Sequence, residues 1–455
     1  TYIKAMAQDV RSGFSCYALN HAAFDHLQLV IGEALREEQK AGRKHHTDAW
    51  KDWVGTAQAN HKGWAHRWTG LKEHWRPVRA SDTYTGRPLE ALHEEQTRLS
   101  TIWRCGEREP DLFEPPEDEW RELQEMNATT FLKTARSFPL RTAQTWDGFH
   151  PRHFALVTEE QAESIIKVMR LMERIGAAPT TIRAVYCRLI PKHKAEVTAR
   201  LSLRSIGMLP SLYRQWAKMR TSEARDWEAR NKTATFAHQA GRSILETVFV
   251  QSLRSESSKA QGEHYACFLW DLSNFYEHVD TELLWERARE KKLSLTILAI
   301  SLNQCRGKRF LGLDDLAVDC GHPRRGIAAG DAFATYWVQV YAMQPLQVWE
   351  QQNPRLGLTV FIDDFMSDTT AAHEHLVAGR LTAGAASLRE VIQTELGCLV
   401  ANHKSAIIAS SSRLLRRCQD AFGRFAGTAS TSATNLGVDI FAGRRRTARH
   451  STPTL

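Results

Sequence analysis

The stretch Leu358-Thr359-Val360-Phe361-Ile362-Asp363-Asp364-Phe365-Met366-Ser367 decides how this 455-residue chain is read. An alternating apolar run over 358–362 leads into two adjacent carboxylates, and a second short run follows over 365–367. The pattern is that of two strands joined by an acidic hairpin tip. Neighbouring ionised carboxylates repel each other and raise each other's pKa, so a tight turn keeps such a pair where cations compensate it. A divalent metal is the natural compensation. Taken alone, an Asp-Asp pair reads first as a solvated turn; its surroundings overturn that reading.

A second acidic position lies upstream. Tyr265-Ala266-Cys267-Phe268-Leu269-Trp270 reads as a buried strand ending at Asp271. If that strand neighbours the hairpin, Asp271 and Asp363 converge. Hard oxygen ligands on separate strands then suit two Mg²⁺ ions about 3.5–4 Å apart, with Mn²⁺ as the alternative ion, and the chemistry is in-line phosphoryl transfer.

Composition is compatible with this and decides little. The formal charge of +8 and pI near 9.1 fit a polyanionic partner or an ordinary basic protein. The length suggests about three domains. Eight dispersed cysteines, among them Cys267 and Cys398 inside apolar runs, show no CxxC or Cys/His knuckle spacing. That argues against a zinc site and for reduced thiols in a nuclear or cytoplasmic protein. No apolar stretch is long enough to span a bilayer, so no membrane partner is expected. The sequence starts at Thr1 rather than Met, which fits a portion of something larger and makes a missing signal peptide uninformative.

Residues 1–137 read as a charged, mainly helical N-terminal extension, for example over 22–38, with a polar break at 109–119. Trp50, Trp53, Trp64, Trp68 and Trp75, interleaved with Lys62, Arg67, Lys72 and Arg76, suit core packing or base stacking. From Thr145 the character changes. A helix over 159–175 precedes a strand over 184–190 that ends in Pro191 and Lys192, and a second strand over 201–209 carries Arg204. This is a basic hairpin. After the strand that ends at Asp271 come helical text over 281–291, a loop over 323–330, a long apolar helix over 332–349, the acidic hairpin, a helix over 372–396 and a strand over 406–409.

Nine short blocks, in order, resemble reverse transcriptases, most closely those of non-LTR retrotransposons. They are Thr-Trp-Asp-Gly-Phe (145–149), Leu-Ile-Pro-Lys (189–192), Leu-Arg-Ser-Ile (203–206), His-Gln-Ala-Gly-Arg-Ser (238–243), Phe-Leu-Trp-Asp-Leu-Ser (268–273), Gly-Ile-Ala-Ala-Gly (326–330), Phe-Ile-Asp-Asp (361–364), Asn-His-Lys-Ser (402–405) and Asn-Leu-Gly-Val (435–438). No single block is specific; their order carries the resemblance.

The resemblance implies an α+β right-hand polymerase, with fingers over 138–262, a palm over 263–440, and a basic tail or start of a thumb over 441–455, the thumb being largely absent. It implies an RNA-directed DNA polymerase of a retroelement, acting on an RNA template, a DNA or RNA primer and deoxynucleoside triphosphates. Asp271, Asp363 and Asp364 are then the catalytic carboxylates, and Asp271, the Leu272 carbonyl, Asp363 and Asp364 the metal ligands. Lys192 and Arg204 grip the triphosphate. Tyr276, or Phe275 beside it, is the steric gate beneath the sugar. Gly330 lets backbone approach template and nucleotide, and Lys404 protonates pyrophosphate. The chain departs from the family at Ala329, where Gln is usual, and at Ala334-Thr335, where Ser-Pro is usual. An RNA-dependent RNA polymerase and a noncatalytic RNA-binding remnant are the rival readings; Tyr276 and Phe361-Ile362-Asp363-Asp364 oppose the first, and the intact aspartates the second.

Overall fold

A computed structural model describes residues 84–192, 202–239, 241–436 and 438–442, together with Arg79 and scattered positions between 33 and 55. Trp50, Trp53, Trp64, Trp68 and Trp75, the basic residues interleaved with them and the run Arg444-Arg445-Arg446 lie outside the described residues. The chain divides into two compact units, Thr1–Pro77 and Val78–Leu455. In the first, the described positions are helical and exposed. The second starts well before Ser137, so the helices α1 (Pro88–Trp103) and α2 (Ala128–Arg136) share one unit with everything downstream.

That unit is α+β. Local signals account for many element ends. Helix α3 (Glu159–Ile175) begins at a capping box between Thr158 and Gln161 and stops at Gly176, whose φ of 77° suits glycine. Strands β1 (Val185–Pro191) and β2 (Leu203–Met208) pair antiparallel, as the basic-hairpin reading expects. Helices α4 (Ser211–Arg230) and α5 (Ile244–Ala260) follow.

Strand β3 (His264–Ser273) runs two residues past Asp271, where the sequence reading ended it. The extension has a partner: Leu272 and Ser273 pair with a short strand at 399–400. Burial on both faces explains its unbroken apolar text. Ala266, Phe268, Trp270 and Leu272 enter the main core, while Tyr265, Cys267 and Leu269 enter a second, smaller cluster.

Beyond the short helix α6 (Phe275–His278) and α7 (Thr281–Glu290) comes a segment whose text shows neither helical nor strand period. Helix α8 (Leu295–Arg306) is buried at every position, so it carries no amphipathic period to betray it. It leads into β4 (Arg309–Leu313) and β5 (Leu316–Gly321), which complete a four-stranded sheet of order β2-β1-β4-β5 with β1 and β4 parallel.

Helix α9 (Ala334–Gln352), the acidic hairpin β6 (Gly357–Phe361) and β7 (Asp364–Ala371), α10 (Glu374–Thr394), β8 (Leu399–Val400), β9 (Ala406–Ala409), α11 (Ser412–Phe422) and β10 (Thr428–Ser430) build the larger sheet. Its order is β10-β9-β3-β7-β6, with β8 also on β3. Strands β11 (Ser432–Asn435) and β12 (Val438–Phe441) form a separate antiparallel pair. Among the described residues no helix is long and apolar enough to cross a membrane, and the cysteines there are free thiols, all but Cys105 buried.

Candidate functional site

Strands β3 and β7 pair from His264↔Ala371 to Asp271↔Asp364, so two of the three aspartates face each other at the end of one antiparallel ladder. Asp363 lies in the two-residue turn between Phe361 and Asp364, which are themselves register partners. Burial among neighbouring atoms, and then the charge of Asp271, raise the Asp363 pKa; the Arg204 guanidinium pulls it partly back. Asp364 is pushed up to about 6 by burial and by the charges of Asp363 and Asp271. Both carboxylates can be reached by solvent, yet they sit in a crowded cleft that displaces much of their hydration. The three groups are therefore one coupled acidic site.

The turn that presents Asp363 is strained and clamped. Ile362 has φ 62°, a conformation a β-branched residue adopts only when its surroundings impose it. Its amide donates to His238 Nδ1 at 3.3 Å. Upstream, Val360 N donates to Thr235 O and Ala237 N to Val360 O, each at 2.8 Å, so the segment 235–237 zips onto the free edge of β6. His238 packs against Phe236 and Phe361, and burial lowers its pKa to about 4. It is thus neutral near pH 7, with Nδ1 the acceptor. The 238–243 block carries no local sign of this role for His238, whose partner is 124 positions away.

A cationic arc surrounds the acidic site. Lys404 Nζ lies 3.9 Å from Asp271 Oδ1. The Lys192 pKa is lowered by burial and by the charges of Lys404, Arg204 and Arg98, while Asp271 acts in the opposite sense. Lys192, Arg204, Lys404, Asp271 and Asp363 are thereby brought together. Arg98, on α1, joins the arc; it is bound to Glu95 at 2.6 Å and nothing in its helical surroundings singled it out.

Tyr276 is half-buried, and its hydroxyl is pushed well above the usual tyrosine range by burial and by the charges of Asp363 and Glu277. Phe275 instead points into the core, 2% exposed and edge-on to Phe365. Of the two gate candidates, only Tyr276 thus lies at the acidic site. Its carbonyl accepts from Ile327 N at 3.0 Å, which ties α6 to the 326–331 loop.

Gly330 has φ 113°, and a Cβ there would approach Gly207 O to 2.9 Å. Its need for glycine is met within the chain: the loop lies against β2, with Gly207 N donating to Ala329 O at 2.8 Å. Next to it, buried Asp331 accepts from Tyr213 Oη at 2.9 Å and Ser301 Oγ at 2.7 Å and fixes the loop to two helices. Leu272 is buried, its backbone paired with Val400, and Ala401 N donates to the Asp271 carbonyl beside it at 2.8 Å.

Three coupled carboxylates are the donor chemistry of a hard divalent ion. Among the described residues, however, no three or more His, Cys, Asp or Glu side chains are already gathered as a metal cage. The backbone register sets Asp271 opposite Asp364, with Asp363 in the adjoining turn.

No family model and no curated protein matches the sequence. Among solved structures, an apo telomerase from Candida tropicalis truncated from the C-terminal domain is similar at 13% identity and a TM-score of 0.39, over 58% of this chain and 54% of that one. Telomerase from the same organism in complex with a fragment of telomeric RNA gives 13% identity and a TM-score of 0.41, over 60% and 46%. The chain spans about half the length of the telomerase chains it matches.

Proposed function

We propose that the chain is the polymerase portion of an RNA-directed DNA polymerase of a retroelement, joining deoxynucleotides to a primer 3′-hydroxyl on an RNA template. The observation that carries this reading is the pairing of Asp271 with Asp364 beside the clamped Asp363 turn, all within reach of the Lys192, Arg204 and Lys404 charges. An acidic pocket of this kind repels a triphosphate unless cations intervene, and the arc of basic side chains suits the same polyanion.

Asp271, Asp363, Asp364 and the Leu272 carbonyl would hold Mg²⁺, or Mn²⁺. When bound, such ions lower the pKa of the attacking hydroxyl and neutralise the leaving pyrophosphate. The chain's own residues do the rest. Arg204 and Lys192 orient the triphosphate, the first through a planar fork and the second as a compact charge. Lys404, 3.9 Å from Asp271, would neutralise or protonate the leaving group, and the Tyr276 ring would limit the room beneath the sugar.

Primer extension on an oligonucleotide RNA template, with dNTPs and rNTPs in parallel and Mg²⁺ present, tests the reading. Extension with dNTPs is expected. Preferential use of rNTPs would favour an RNA-dependent RNA polymerase, and tight RNA binding with neither extension a noncatalytic remnant.

A further inference from the structure

The segment from Arg325 to Asp331 is a strap that touches both halves of the proposed nucleotide site. Its start lies along α6 and the residues after it: Arg325 Nε donates to His278 O at 2.7 Å, Gly326 N to Val279 O at 2.8 Å and Ile327 N to Tyr276 O at 3.0 Å. Its far end lies on the basic hairpin, where Ala329 O accepts from Gly207 N at 2.8 Å on the strand that carries Arg204. From Ile327 to Ala329 the chain can span at most about 7 Å. A shift of the strap is therefore felt at both ends.

Asp331 anchors the strap from the core. It is 7% exposed, and its Oδ2 accepts from Tyr213 Oη of α4 at 2.9 Å and from Ser301 Oγ of α8 at 2.7 Å. Its Oδ1 accepts from Phe333 N, at the start of α9, at 3.2 Å. Ser301 Oγ accepts in turn from Trp337 Nε1 at 2.8 Å. An apolar side chain would fill the same space without desolvating a carboxylate, but it would strand the buried Tyr213 and Ser301 hydroxyls. What the carboxylate adds is direction, since donors on three different elements hold it in one orientation.

We propose that Asp331 is a positioning residue for nucleotide selection: through the strap it holds the Tyr276 ring and the Arg204 strand at one separation, so that sugar and triphosphate are tested against a single frame. The selection role rests on the polymerase reading; the mechanical link between Gly207 and Tyr276 does not.

Steady-state extension with dNTPs and with rNTPs, together with amide hydrogen exchange of the full chain, tests the role. Asp331→Ala is expected to lower the dNTP-over-rNTP ratio of kcat/KM by about tenfold or more and to raise dNTP KM. It should also speed exchange at the Gly207 and Ile327 amides. Asp331→Asn keeps one acceptor oxygen and should recover much of both effects. A merely structural anchor would reduce the active fraction, lowering kcat for both sugars alike and leaving KM and the ratio as in wild type. That result in a folded Asp331→Ala overturns the proposal, as does wild-type exchange at both amides. If Asp331→Ala fails to fold or to extend, Tyr213→Phe, which removes one donor to the carboxylate, decides: a smaller shift of ratio and exchange in the same sense supports the role, and an unchanged ratio overturns it. A wild type that extends with neither kind of nucleotide overturns the selection role together with the polymerase reading, whereas a sugar-selective wild type with an indifferent Asp331→Ala overturns this role alone.

Discussion

Two hairpins of opposite charge meet at the site, and they are built differently. The acidic one, β6–β7, turns in two residues, stores strain at Ile362, is zipped along its edge by 235–237 and is held at its tip by His238. The basic one, β1–β2, carries Lys192 and Arg204 on long, flexible stems that reach the aspartates as charges. The carboxylates are positioned by backbone, the cations by side chain. Substitutions in and around the acidic turn should therefore act on kcat, and those on the basic hairpin on nucleotide KM.

The largest effect is expected at Asp363→Asn. Loss of one carboxylate proposed to bind metal should lower extension by about a thousandfold or more while leaving folding intact, because the residue is exposed at a turn. Single-turnover extension and thermal unfolding measure the two halves. Activity equal to wild type would remove the acidic turn from the active site.

His238→Ala comes next and probes the clamp. It leaves the Ile362 amide without its acceptor, at a cost of about 1–3 kcal/mol, so kcat should fall about tenfold or more with little change in nucleotide KM. His238→Asn, whose side-chain carbonyl can accept the same bond, should recover part of the loss. An equal rise in KM would mean that the histidine acts on nucleotide rather than on the turn.

Arg204→Ala should raise dNTP KM by about tenfold while kcat changes less, as loss of one charge-assisted contact implies. Tyr276→Ala is expected to act more narrowly still, lowering the dNTP-over-rNTP ratio of kcat/KM by improving rNTP use. An unchanged ratio would place the gate elsewhere.

The smallest effect is one of pH. The folded-state pKa of Asp364, about 6, lies above the unfolded value near 4, so the folded chain binds more protons between the two. Stability of the metal-free chain should then decline as pH rises through that window. Mg²⁺ needs the ionised carboxylates and should raise the unfolding temperature more near pH 7.5 than near pH 5. A pH-independent Mg²⁺ effect would contradict the coupling.

What the sequence disclosed follows from the range of the forces involved. The acidic hairpin and β3 were legible because alternation and unbroken apolar text record burial directly. The basic hairpin was legible from its two runs and the Pro191 boundary. Helix α8 was not, since uniform burial erases the period, and β4–β5 went with it. The end of β3 was misplaced because its last two residues are held by β8, more than 120 positions on. Phe275 and Tyr276 were indistinguishable as text; packing of Phe275 on Phe365 separates them. His238 and Arg98 act through distant partners that no local pattern encodes.

Asp271, Asp363 and Asp364, brought to one place by β3 and the β6–β7 turn, are proposed to hold metal. Crystals of the chain with primed RNA template and Mn²⁺, measured for anomalous scattering, test this most directly. Two peaks about 3.5–4 Å apart are expected, touched by Asp271 and Asp363 with Asp364 beside them; peaks elsewhere, or none at saturating Mn²⁺ with template in place, would contradict this assignment.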